Sequence, residues 1–197
     1  MKHLTIVTNF EGPHIGVPLT TLSSLDKLGA AIMFEKAEII SVVGGGDPLH
    51  EYEKHTKYFE RLLRVCRTKG IPLEMHTSRT DTEFPYGKCD VVVYHISDLD
   101  TLKTIKRHAD EPVRVVFTAR KSCTLDIIDE VAEFCDKSLD INALYFRDSK
   151  YGVAKCVKEY LQAGVSEARW NYIEKIEMNP PFFVNGTIHY SWDDIFA

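Results

Sequence analysis

The chain has few cysteines, no long apolar run and no surplus of positive charge, and each shortfall excludes a class of protein. Its five cysteines, at 66, 89, 123, 135 and 156, are odd in number, widely spaced and free of any C-x-x-C pair. That is a poor disulfide framework and fits a reducing compartment, so a cytoplasmic chain with an unglycosylated Asn185-Gly186-Thr187 sequon is expected. Nowhere do about 18 apolar residues follow one another, and the apolar stretch after Met1-Lys2-His3 is too short for a signal-peptide core. Neither export nor membrane insertion is expected. With a net charge of −5 and a pI near 5.9, the chain lacks the clustered Lys and Arg of a broad nucleic-acid surface. Linkers, internal repeats and low-complexity tracts are missing too, which predicts one domain over residues 1–197.

What the chain does have is a repeated alternation of short β-branched runs with longer helical stretches, the pattern of βα units. The expected strands are 4–8, 38–43, 71–76, 90–96, 113–118 and 142–146, apolar as buried parallel strands should be. Helices are expected over 21–35, 50–69, 99–109, 124–136 and 150–163, with a short irregular link over 80–88. Apolar residues recur at three- and four-residue steps, as in Tyr58, Leu62, Val65 and Cys66, so each helix can cover the sheet. Gly70 and Gly164 read as helix stops. The tail reads as a hairpin turning at Asn185-Gly186. The fold class is therefore α/β, a (βα)6 partial TIM-type barrel over 1–164 with a C-terminal β-hairpin extension over 165–197.

Gly44-Gly45-Gly46-Asp47-Pro48 follows a buried strand and precedes a helix, so its backbone can come close to a ligand or simply make a tight βα turn. No Lys-Ser or Lys-Thr follows, which excludes a P-loop. Val42 to Leu49 resembles the Gly-Gly-Glu-Pro-Leu segment of radical S-adenosylmethionine enzymes, with an extra glycine and Asp for Glu. Met75-His76-Thr77-Ser78 falls where that family often has Thr-Asn-Gly. Val93 to Asp100 falls where it often has a strand ending in Ser-Leu-Asp, and Val113 to Arg147 is similar to its fifth and sixth units. The resemblance covers about residues 4–163. The stretch Glu11 to Pro18 is also similar to the opening of the 7-carboxy-7-deazaguanine synthase branch.

The resemblance implies a partial barrel whose glycine loop and acidic residue hold the amino group of S-adenosylmethionine. It also implies a C-x3-C-x2-C triad in the first βα loop, binding a [4Fe–4S] cluster through thiolates. Residues 9–37 contain no cysteine, and the triad's spacing falls on Phe10, His14 and Val17. No cluster and no reductive cleavage are expected.

Strand ends of such barrels present polar side chains to ligands. The candidates are His14, Asp47, Glu74, His76, His95, Ser97, Thr118, Arg120 and Arg147. Gly44, Gly45, Gly46, Asp47, Ser97, Thr118, Arg120 and Arg147 are the expected ligand set, the two arginines suiting a carboxylate or phosphate through paired hydrogen bonds. The alternative is a metal-dependent hydrolase or lyase with His76, His95 and Asp47 on a divalent ion, or a non-catalytic scaffold for a partner. The expected partner is a small molecule, and the aromatic tail of Phe182, Phe183, Tyr190, Trp192 and Phe196 is expected either to pack onto the barrel, to cover the pocket or to meet a second copy of the chain.

Overall fold

The computed structural model describes residues 1–10, 17–174 and 181–195. His14 and most of the Glu11 to Pro18 motif, with Phe196, lie outside the described residues. In chain order the strands are β1 (His3–Thr8), β2 (Ile39–Gly44), β3 (Leu73–Thr77), β4 (Val91–Ile96), β5 (Val113–Ala119), β6 (Ala143–Asp148), β7 (Asn171–Ile173), β8 (Phe182–Val184) and β9 (Thr187–His189). The helices are α1 (Leu28–Glu35), α2 (Tyr52–Lys69), α3 (Leu99–Leu102), α4 (Leu125–Lys137) and α5 (Lys155–Ser166). The chain is an α/β protein in which the six expected βα units follow one another and a hairpin comes last. No helix among the described residues is long and apolar enough to cross a membrane.

Backbone contacts group the chain into two units, residues 1–92 with 178–197, and residues 93–177. In the first, β1 pairs in parallel with β2, and β2 with β3. The tail hairpin joins this sheet, because β8 pairs in parallel with the other edge of β1 and antiparallel with β9. Its two-residue turn has positive φ at both Asn185 (42°) and Gly186 (87°), the twist that suits a hairpin. Phe182, Val184 and Ile195 bury against Val7 and Val17, with Trp192 partly buried beside them. Most of the tail's aromatics thus serve packing within this unit, and Tyr190 is the exposed one, its hydroxyl donating to Glu35 at 2.6 Å.

In the second unit β5, β6 and β7 pair in parallel, and β7 was not foreseen. α4 carries a buried stripe of Ile128, Val131, Ala132 and Cys135 and is capped by the Thr124 hydroxyl. Three expected helices change. The 21–35 stretch splits into a 3-10 turn, Leu22–Asp26, and α1, since Ser24 donates its hydroxyl to the Thr21 carbonyl while the Asn185 side chain takes the Thr21 amide. The 99–109 stretch stops at Leu102, where the Thr104 hydroxyl and amide both turn back to the Thr101 carbonyl. The 150–163 stretch begins only at Lys155, after a turn in which Gly152 has a φ of 73°. Gly164, read as a stop, lies inside α5.

Candidate functional site

The glycine loop is fastened from three sides. At its start the Gly45 amide donates to the Thr8 carbonyl at 2.8 Å, and the Thr8 hydroxyl donates to the Val43 carbonyl at 3.2 Å. Further on, Asp47 Oδ1 accepts the Leu49 amide at 2.8 Å and the Thr77 hydroxyl at 2.8 Å. Its Oδ2 accepts the Ser78 hydroxyl at 2.6 Å and also the Ser78 amide. The carboxylate therefore straps the loop after β2 to the end of β3. Thr77 and Ser78 are the partners that sequence reasoning missed. Their signal was the Thr-Ser pair at a strand end, where hydroxyls commonly bond turns. With both oxygens engaged, Asp47 acts first as a strut that fixes the path of Gly44, Gly45 and Gly46.

The second cluster lies wholly within residues 93–177. Register sets Thr118 of β5 beside Arg147 of β6, and Arg147 Nη2 donates to the Thr118 hydroxyl at 2.8 Å. Just past the ends of β5 and β4, Arg120 Nη2 donates to the Ser97 hydroxyl at 2.6 Å. All four expected residues of this set are thus joined in two pairs. Arg120 is exposed and Arg147 half-buried. Burial pulls the Arg147 guanidinium below its usual pKa, and among the described residues it forms no ion pair. A partly desolvated guanidinium beside a neutral hydroxyl keeps further N–H donors of the kind that suit a carboxylate or phosphate.

The metal set is not assembled. His76 Nε2 lies 2.7 Å from Glu74 Oε1, Asp47 is held by Thr77 and Ser78, and His95 is half-buried on β4. Among the described residues no three His, Cys, Asp or Glu side chains converge as metal ligands would. The two described positions of the triad's spacing carry no thiolate. Phe10, at the first position of the triad's spacing, stacks on His55 with ring centroids 4.1 Å apart and meets Tyr58 edge-on at 5.3 Å. Val17, at the third, is 7 % exposed within the apolar cluster of Val7, Phe182, Val184 and Ile195. Burial pushes the Cys66 and Cys135 thiols up to about 12, which keeps these two protonated and unreactive near neutral pH.

The fold has a counterpart among solved structures. No protein-family model matches the chain, and no curated protein matches it. Among solved structures, it is similar to Streptococcus suis SuiB bound to S-adenosylmethionine, with a TM-score of 0.56 and 13% sequence identity. The likeness shows the fold. It takes in 89% of this chain and 48% of SuiB, so the chain spans about half the length of that protein.

Proposed function

We propose that the chain binds a small molecule bearing an anionic group, S-adenosylmethionine or a nucleotide, at the carboxyl ends of its parallel strands, and that it works without an iron–sulfur cluster. The observation that carries this reading is Arg147, half-buried with Thr118 as its hydrogen-bond partner and without an ion pair among the described residues. The carboxylate of S-adenosylmethionine or a nucleotide phosphate would complete its coordination through paired hydrogen bonds. Ser97, Thr118 and Arg120 would steady the same group. The sequence resemblance to radical S-adenosylmethionine enzymes and the bound molecule in SuiB both favour S-adenosylmethionine. Gly44, Gly45 and Gly46, held by Asp47, form a rigid backbone edge in the first unit, and the reading at Arg147 does not depend on them. Phe10 and Val17 stand where the resemblance would put two of the thiolates and supply none, so no radical step is assigned.

Calorimetric titration with S-adenosylmethionine, and separately with ATP, tests the reading. Saturable binding of one of them is expected, weakened about ten- to a hundredfold in Arg147→Met, the usual worth of a hydrogen bond to a charged group. The same variant is expected to melt no earlier than the parent, because it removes a half-buried charge that has no counter-ion among the described residues. Failure of both ligands to bind, or unchanged affinity in Arg147→Met, would overturn the proposal.

A further inference from the structure

Polar side chains cross the sheet of the first unit where apolar ones would be easier to bury. Register places Thr5, Ser41 and Glu74 in one row across β1, β2 and β3, and all three are buried. Their sequence neighbours Ile40, Val42, Leu73 and Met75 are apolar core. Two-residue alternation puts His3 and His76 on the same face as this row. The side chains join end to end. His3 Nδ1 lies 3.0 Å from Ser41 Oγ, Ser41 Oγ donates to Glu74 Oε1 at 3.4 Å, and His76 Nε2 is 2.7 Å from that same oxygen. Glu74 is 8 % exposed and His76 21 %, so a buried carboxylate sits between two imidazoles that each reach solvent. Burying a carboxylate costs several kcal/mol before its partners offset it, and well-packed apolar residues would serve stability as well or better. A continuous hydrogen-bonded chain of such groups is a path along which a proton can pass.

We propose that His3, Ser41, Glu74 and His76 form a proton relay running the length of these strands. His76, one residue before the carboxyl end of β3, exchanges a proton with a bound molecule, and His3, at the opposite end of the parallel strands, exchanges it with water. A proton arriving on the second nitrogen of His76 releases the Nε2 proton to Glu74 Oε1. The Ser41 hydroxyl then turns from Glu74 to His3, gives its proton to His3 Nδ1 and takes the one now on Glu74, and His3 gives up its Nε2 proton to solvent. No net charge accumulates, and the two rings end in their other tautomers, set to carry a proton the opposite way. The matching substrate is one whose reacting atom carries an O–H, an N–H or an activated C–H bond. This goes beyond ligand binding, since acid–base work of this kind needs neither a cluster nor S-adenosylmethionine.

The test uses the full chain labelled with 15N-histidine and no ligand, so its result is independent of the titrations above. The His76 Nε2–H resonance should be visible in the parent protein and lost in Glu74→Gln. Its exchange with water, read by saturation transfer, should slow by up to about tenfold in Ser41→Ala and in His3→Gln, the scale of one lost hydrogen bond. A merely structural network would exchange at the same rate or faster once loosened, and that outcome with unchanged melting temperatures would overturn the relay. So would a parent protein that shows no such resonance. Should Ser41→Ala fold poorly, His3→Gln at the half-exposed end decides the matter.

Discussion

Gly44→Ala is expected to lose about 3 kcal/mol of stability, near the upper end of the overpacking range. For a chain of this size that is a fall in melting temperature of roughly 6–12 °C. A Cβ at position 44 would overlap the carbonyl oxygen of Gly46 and come within 2.8 Å of that carbonyl carbon and 2.9 Å of the Pro48 nitrogen. These are backbone atoms, so no rotamer change relieves the overlap. The loop cannot swing away either, because the Gly45 amide is bonded to Thr8 and Asp47 is strapped to Thr77 and Ser78. Thermal unfolding checks the loss. A variant that melts with the parent would mean the loop has another path open to it, and the strut assigned to Asp47 would then be unnecessary.

Gly164→Ala should cost a similar amount in the second unit, for a different reason. Here the added Cβ would overlap the Trp170 ring at Cε2 and Cζ2, with Nε1 next nearest. Trp170 is 4 % exposed, packs edge-on against Phe146 at 5.2 Å and against Tyr160 at 5.7 Å, and donates its indole N–H to the Leu161 carbonyl at 2.7 Å. Moving the ring both strains this packing and strands a buried donor, for about 3 kcal/mol in total. The double variant Gly164→Ala with Trp170→Phe should recover part of the loss, since two residues in contact do not act additively. Urea unfolding of the four proteins supplies the cycle, and strict additivity would contradict the close fit of helix and indole.

The same glycine shows where a linear reading of the chain stops. Gly164 looks like a helix stop because glycine ends helices, yet the reason for it is a tryptophan six residues on, which no periodicity announces. The strands were legible because each is a β-branched run bounded by turn residues, and the hairpin because Asn-Gly has one dominant turn geometry. The strand that was missed, β7, is three residues long and gains its partner only through β6. In the arginine cluster, Thr118 and Arg147 could be named from their positions at strand ends, but their pairing depends on a register the sequence does not print. Ser41 carried its own signal, a hydroxyl in the middle of Ile39-Ile40-Ser41-Val42-Val43. Its meaning depended on Glu74 lying opposite. Among the described residues the metal set is not brought together, and His76 instead meets a carboxylate two residues away on its own face.

The pairing of β8 with β1 bears on how the chain comes off the ribosome. Residues 93–177 are one continuous stretch of chain, whereas the other unit is built from residues 1–92 and 178–197. One edge of β1 therefore stays open until Phe182–Val184 has been made, with a row of unpaired backbone groups and the apolar face of Val7 and Val17 uncovered. Until then that edge is a target for chaperones or for mispairing with another copy, and stalling or truncation ahead of Phe182 would leave β1 unprotected there.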